Sequence, residues 1–272
     1  MAIASIAGIE LSYRTAGAEG RTPVLFIHGF TGNLRNWSLQ VKALIAHGGY
    51  RTLSVDNPGH GDSSAPDDPS VYAMHNVADV LHQLAVGLDF APAIVFGHSM
   101  GGAIAEEYAI RHPEHVKALV LVGSAGGASG AERADMATSS DALRDDYQRG
   151  GMGAVYDTRQ ARTPFPGYAD LPQQTRDFLR AEFMRTSWPG FEYGSRALHE
   201  RAETLTALAG LHKPTLITHG SSESDALKRV ADDLALTIPG ARRVVIPSAG
   251  HSPQFENAEA FNREMFTFLD SL

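Results

Sequence analysis

Short apolar runs punctuate the chain, and each stops at a small or polar residue. Pro23-Val24-Leu25-Phe26-Ile27 stops at His28-Gly29, Thr52-Leu53-Ser54-Val55 at Asp56-Asn57-Pro58-Gly59, Ala93-Ile94-Val95-Phe96 at Gly97, and Ala118-Leu119-Val120-Leu121-Val122 at Gly123. Later, Thr215-Leu216-Ile217-Thr218 stops at His219-Gly220 and Arg243-Val244-Val245-Ile246 at Pro247. Runs of this kind suit strands buried on both faces, as in a parallel sheet. Ile9 to Tyr13 alternates loosely and predicts an early strand, in a hairpin with residues 3 to 7. Between the runs, Trp37 to Ala46, Val71 to Leu88, Met100 to Arg111, Ala226 to Leu236 and Ala258 to Leu269 carry apolar residues at three- and four-residue spacing, which predicts helices. Strands alternating with helices imply βαβ units. In open α/β sheets functional groups gather in the loops at the carboxyl ends of the strands, so the residues just after each run are where chemistry is expected.

The rhythm breaks between about Ser124 and Leu211. Ser124-Ala125-Gly126-Gly127-Ala128-Ser129-Gly130 has the composition of a flexible connection. Beyond it lie helical patches, Ala142 to Tyr147 and Gln174 to Met184, and aromatics that include Tyr156, Phe165, Tyr168, Phe178, Trp188 and Phe191, but no buried strand pattern. Residues 125–211 are therefore expected to form a helical lid over the sheet, with residues 1–124 and 212–272 making the core. The lid aromatics either line an apolar pocket or pack lid against core.

Gly97-His98-Ser99-Met100-Gly101-Gly102 follows a predicted strand and opens a predicted helix. Gly-x-Ser-x-Gly in that context is the nucleophile elbow, whose sharp turn lifts a serine hydroxyl above the sheet and tolerates only small neighbours. A serine hydroxyl attacks only once a base takes its proton. Of the 12 histidines, His251 in Pro247-Ser248-Ala249-Gly250-His251-Ser252-Pro253 follows the last strand and fits the chain order nucleophile, acid, histidine. His28 and His219 also end strands and are weaker candidates, His98 lies inside the elbow and is expected to pack or shape the pocket, and His60 reads as part of a surface turn. The acid that orients the imidazole belongs after the strand at 214–218. The loop Gly220-Ser221-Ser222-Glu223-Ser224-Asp225 offers two carboxylates, of which Asp225 also suits a cap for the next helix. Oxyanion donors are expected from the backbone N–H groups of Met100 and Phe30.

Composition narrows the partners. Lys plus Arg is 23 against 31 Asp plus Glu, a net charge of −8, which argues against nucleic acid although a single local Arg can still recognise an anion. With no cysteine, disulfides and thiolate chemistry are out. No apolar run approaches the ~20 residues of a membrane span, and Met1-Ala2-Ile3-Ala4-Ser5 lacks a signal-peptide pattern, so a cytoplasmic monomer or homodimer without membrane association is expected. No phosphate loop or metal-ligand spacing is present, so no cofactor and no metal are expected; the expected partner is a small-molecule substrate.

Four motifs, His28-Gly29-Phe30, Asp56-Asn57-Pro58-Gly59-His60-Gly61-Asp62-Ser63, Gly97-His98-Ser99-Met100-Gly101-Gly102 and Gly250-His251-Ser252-Pro253, resemble the α/β-hydrolase superfamily over essentially the whole chain. The resemblance implies an eight-stranded, mostly parallel sheet flanked by helices, with a helical lid inserted after the sixth strand. It places the acid three residues after the glycine ending its strand, at Glu223, where the family usually has Asp. It implies catalysis by Ser99, Glu223 and His251, and hydrolysis of an ester or lactone. His28-Gly29-Phe30-Thr31-Gly32 is also similar to the menaquinone-pathway enzyme that eliminates pyruvate, which implies an alternative as a C–C hydrolase or proton-transfer lyase. From another class, a weakly catalytic ligand receptor of the same fold is the remaining reading.

Overall fold

The computed structural model describes residues 1–126, 141–162 and 172–272. Its core is one eight-stranded sheet: β1 (Ala2–Ile6), β2 (Ile9–Ala16), β3 (Thr22–Ile27), β4 (Tyr50–Val55), β5 (Ala93–His98), β6 (Val116–Val122), β7 (Thr215–Gly220) and β8 (Arg242–Ile246). The spatial order is β1-β2-β4-β3-β5-β6-β7-β8. β2 pairs antiparallel with both β1 and β4, and every later pairing is parallel. This is the predicted eight-stranded, mostly parallel α/β-hydrolase sheet.

The unbroken apolar runs have their explanation in two separate cores. Along β3, Val24 and Phe26 join one cluster while Leu25 and Ile27 join the other; along β6, Val120 and Val122 oppose Leu119 and Leu121. Each face needs its own cover. One face carries α2 (Met74–Gly87), α3 (Met100–Arg111) and α8 (Asp225–Thr237); the other carries α1 (Ser38–His47) and α9 (Ala258–Leu269). Helix starts differ from the periodicity by a few residues. Leu34–Trp37 is a 3₁₀ turn ahead of α1, and Pro69–Tyr72 is another ahead of α2, separated from it by Ala73 at ψ 131°, outside the helical region.

Between β6 and β7 the described residues are helical: α4 (Asp141–Arg162), α5 (Gln173–Phe183), α6 (Trp188–Glu200) and the short α7 (Leu205–Leu208). α4 is two helices joined at Gly150-Gly151, where Gly151 adopts φ 62°. The sequence patches at 142–147 and 174–184 lie in α4 and α5, whereas α6 had no patch of its own. Gly127 to Gly130, Phe165 and Tyr168 fall outside the described residues.

The insertion docks by backbone as well as side chain. Ser187 N–H donates to the carbonyl of Gly59 over 2.8 Å, and its hydroxyl donates to the same oxygen over 2.9 Å. A Cβ on Gly190 would stand 2.4 Å from that oxygen, so the start of α6 lies directly on the loop after β4. Leu143, Met152, Val155, Tyr156, Phe183 and Phe191 form the insertion's own apolar cluster. Phe30, from the loop after β3, packs against both this cluster and the sheet core.

Candidate active site

The carboxyl ends of β3, β5, β6, β7 and β8 bring the sequence-selected residues to one edge of the sheet. β5 ends in the elbow, and Ser99 sits there at φ 53°, ψ −116°, a conformation that L side chains avoid. The local packing leaves no room for a gentler turn. A Cβ on Gly97 would lie 2.2 Å from the carbonyl of Gly101, and one on Gly101 would lie 2.4 Å from the carbonyl of Ile27. Ser99 N–H donates to Val122 over 2.9 Å and its carbonyl accepts from Ala125 over 3.0 Å, fixing the turn to the end of β6.

Ser99, His251 and Glu223 form one hydrogen-bonded chain. His251 Nδ1 lies 2.7 Å from Glu223 Oε2, and His251 Nε2 lies 2.9 Å from Ser99 Oγ. A carboxylate can only accept, so Nδ1 carries the proton and Nε2 is left to accept from the Ser99 hydroxyl. The second oxygen of Glu223 accepts from Ser224 N–H over 2.7 Å. Burial pulls the His251 imidazole down, but attraction and hydrogen bonding from Glu223, with Glu256 further off, raise it above 6.5 on balance. Burial pushes Glu223 up, and the same partnership holds it below its ordinary value.

The loops that carry these groups are clamped. A Cβ on Gly220 would stand 2.2 Å from the carbonyls of Ala249 and Gly250, so the acid loop and the histidine loop touch backbone to backbone. Glu256 accepts from Gly250 N–H and from Ser252 N–H, each over 2.7 Å, one carboxylate closing the His251 loop from both sides. His98 Nε2 lies 2.9 Å from the His251 carbonyl, which can only accept, so His98 donates and holds the backbone of His251 in place. Burial, then repulsion from His251, drives His98 down to about 3, so it is neutral.

The other candidates are placed differently. Asp225 is 87% exposed and lies 3.6 Å from Lys228; it does not reach His251. Nor is Asp225 the cap of α8: Ser224 is, its hydroxyl accepting from Leu227 N–H over 3.3 Å, with Asp225 in the first turn. His28 uses both ring nitrogens in the loop itself, Nδ1 bonding the Gly29 carbonyl over 2.8 Å and Nε2 accepting from Asn57 N–H over 2.9 Å. His219 similarly turns Nδ1 to the Gly220 carbonyl over 2.8 Å. His60 is buried against His28, not on the surface, because Asp56 pulls its loop inward by accepting from Leu34 N–H over 2.8 Å and from Asp62 N–H over 3.0 Å. Phe30 and Met100 flank the serine: Met100 is the first residue of α3, and Phe30 follows Gly29, where a Cβ would stand 3.1 Å from Ser99 Cβ.

Two further groups escaped the sequence reading. Glu106, fully buried on α3, accepts from Ser124 Oγ over 2.8 Å and from Thr204 Oγ1 over 2.7 Å. It thereby joins the two points where the chain leaves and re-enters the core around the insertion. Burial raises it to about 7, against smaller lowering effects from Thr204, Ser124 and Arg201. An acid inside an Ala-rich helix, about one turn beyond the elbow motif and no part of it, gives no sequence signal. Glu256 gives a faint one, standing one residue beyond Ser-x-x-Glu spacing from Ser252.

A cavity of about 570 Å³ opens on the opposite edge of the sheet, between Thr22, Tyr50, Lys117 and Lys213, and shares no residue with this site. Beside Met100, the space among His60, Tyr72 and Gly194 is about 10 Å³, room for a water at most. Among the described residues, no helix is long and apolar enough to cross a membrane, and no group of three or more His, Asp or Glu is arranged to hold a metal ion.

A family model described as alpha/beta hydrolase fold matches residues 22–258. The chain is 30% identical to the dihydrolipoyllysine-residue acetyltransferase component of the acetoin cleaving system of Pseudomonas putida, across 98% of this chain and 68% of that protein. It is 25% identical to the putative 2-succinyl-6-hydroxy-2,4-cyclohexadiene-1-carboxylate synthase of Bacillus subtilis, across 97% and 96% of the two chains. Among solved structures, the enol-lactonase of Burkholderia xenovorans LB400 superposes with a TM-score of 0.84 at 27% identity, covering 99% of this chain and all of that one.

Proposed function

Since this chain belongs to the α/β-hydrolase fold family, whose members among its relatives include esterases, lipases and lactonases, we propose that it is a serine hydrolase cleaving a carboxylic ester or lactone. The observation that carries this reading is the chain from Ser99 through His251 to Glu223, with contacts of 2.9 and 2.7 Å. His251 Nε2 takes the hydroxyl proton as Ser99 Oγ attacks the carbonyl, and Glu223 stabilises the imidazolium so formed. The backbone N–H groups of Phe30 and Met100 receive the developing oxyanion, a contribution of ~10²–10³ in rate per donor. His251 then protonates the leaving oxygen, the acyl group remains on Ser99, and a water deprotonated by His251 releases it. The helical insertion acts as a lid that selects the substrate.

A fluorophosphonate probe tests the reading directly. Ser99 is expected to be labelled in the native protein and not in Ser99→Ala or His251→Ala. Absence of label on Ser99 in the native protein would favour a ligand receptor. The similarity to the B. subtilis synthase supports a second reading, in which Ser99 and His251 only move a proton. Acid-quenched mass spectrometry during turnover of p-nitrophenyl esters separates the two: an acyl adduct on Ser99 is expected, and ester turnover without one would favour the lyase.

A further inference from the structure

The peptide that offers Phe30 N–H is bonded at its other end. The Gly29 carbonyl, which shares that peptide unit, accepts twice: from His28 Nδ1–H over 2.8 Å and from Gly32 N–H over 3.0 Å. In a planar trans peptide the N–H points opposite to the carbonyl, so two bonds on the Gly29 oxygen fix where Phe30 N–H is aimed. That N–H has no acceptor among the described residues, and a Cβ on Gly29 would stand 3.1 Å from Ser99 Cβ. The turn does not keep this shape by local preference. Its third residue, Thr31, sits at φ 59°, a region that a β-branched side chain avoids. Gly32 N–H alone would close the turn; the imidazole is a second donor on the same oxygen.

His28 is locked into the tautomer this requires. Asn57 N–H donates to Nε2 over 2.9 Å, so Nε2 carries no proton, and the Gly29 carbonyl can only accept, so Nδ1 carries it. Asn57 Nδ2 also donates to the His28 carbonyl over 3.2 Å, and the ring is fully buried. Burial, against a smaller raising effect of the Gly29 bond, holds the imidazole down at about 4, so it stays neutral. Both ring nitrogens are used, which leaves none for Ser99. The groups run head to tail: Asn57 N–H on His28 Nε2, His28 Nδ1–H on the Gly29 oxygen, and Phe30 N–H open at the end. In a buried chain of this kind each bond strengthens the next by about 10–30%.

We propose that His28 is a positioning residue of the oxyanion hole, fixing and polarising the Gly29–Phe30 peptide so that Phe30 N–H meets the oxyanion as a stronger, already aimed donor. The assignment rests on the serine-hydrolase reading of Ser99 with Phe30 as a donor. No proton leaves the chain, and His28 touches no reacting atom.

Two amide substitutions separate the halves of the ring. The amide of His28→Asn falls near the place of Nδ1 and can still donate to the Gly29 carbonyl; that of His28→Gln falls near Nε2 and can only replace the acceptor for Asn57 N–H. With p-nitrophenyl butyrate, acylation and deacylation both pass through an oxyanion, so the effect reaches kcat whichever step limits. His28→Gln is expected to lower kcat and kcat/KM together by about tenfold, short of the ~10²–10³ for losing a donor outright. His28→Asn is expected to stay within about threefold of the native protein, whatever its melting temperature. A purely structural role would instead make activity follow stability. An Asn variant as slow as the Gln variant, or a Gln variant as fast as the native protein, would overturn the proposal. Should neither variant fold, the native protein decides. A trifluoromethyl ketone that forms a hemiketal on Ser99 is expected to move the His28 Nδ1 proton resonance downfield, and an unmoved resonance would overturn the proposal. If Ser99 is not labelled by the fluorophosphonate probe, the hydrolase reading fails; if it is labelled and the His28 results go the other way, only the role of His28 fails.

Discussion

Ser99 at φ 53°, ψ −116° holds a conformation that only glycine adopts freely. Two substitutions separate its strain from its chemistry. Ser99→Ala removes the hydroxyl and keeps the strain, so turnover should fall by ~10⁴ or more with the melting temperature little changed. Ser99→Gly also abolishes turnover, but releases strain of ~1–3 kcal/mol, partly offset by the ~0.5–1 kcal/mol that glycine costs in unfolded-chain entropy. Its melting temperature should rise by a few degrees. A Ser99→Gly protein less stable than Ser99→Ala would show that the elbow is not strained. Glu223 is open to a similar test. With His251 raised above 6.5, the neutral base is lost as pH falls through that raised value, and the acid limb of kcat/KM should lie above 6.5. Glu223→Gln removes the attraction and leaves burial, so the limb should move below 6.5 while kcat falls by up to ~10⁴. Asp225→Asn, at an exposed position that caps nothing, should change neither turnover nor limb. An inactive Asp225→Asn beside an active Glu223→Gln would reverse the assignment of the acid.

Among elements, what the sequence made legible divides by whether one residue's neighbours suffice. The parallel strands announce themselves because both faces are buried. Ser99 follows from its motif and His251 from its position after the last strand, whereas position alone left Glu223 and Asp225 both open and the family resemblance chose Glu223. The start of α2 was misread because Val71 and Tyr72 continue its apolar spacing although the backbone turns out at Ala73. α6 was missed because Trp188-Pro189-Gly190 looks like a loop, whereas Ser187 caps it and Gly190 is there for the approach to Gly59. His60 looked exposed because its turn is full of glycine; only the long-range bonds of Asp56 bury it. Gly190→Ala tests the α6 contact: a Cβ 2.4 Å from a backbone oxygen cannot be relieved by a rotamer, so the insertion should undock. Overpacking of this kind costs ~1–3 kcal/mol and should speed proteolysis within α6, with the sheet intact. Glu106 makes an element-scale prediction with a definite sign. Its carboxyl titrates at 4.5 unfolded and at about 7 in the fold, so the fold favours the protonated form. That contribution is complete below pH 4.5 and is lost as pH rises through 7. Glu106→Gln should match the native protein in urea unfolding near pH 4.5 and exceed it above pH 7, by up to about 3 kcal/mol. A Gln variant less stable than the native protein at pH 8 would overturn this.

For the whole molecule, the insertion has an apolar cluster of its own and meets the core through Phe30, through Ala197, Leu198 and Leu208 on the sheet core, and at the Gly59–Gly190 crossing. Replacing residues 130 to 205 by the equivalent segment of a related hydrolase should therefore change ester preference and leave Ser99 reactive towards a fluorophosphonate. Unchanged preference would locate selectivity in the loops around Phe30 and His98. The tie at Glu106 adds a topological consequence. Ser124 and Thr204 meet on one carboxylate, so the long excursion between them sets out from and returns to the same spot. Closing a loop on a fixed pair of anchors costs only about 0.6 kcal/mol more for each doubling of its length. The excursion can then lengthen, shorten or change sequence almost without effect on the stability of the sheet, provided its anchors stay. The fold can try new substrates by altering the one part whose ends are already held together.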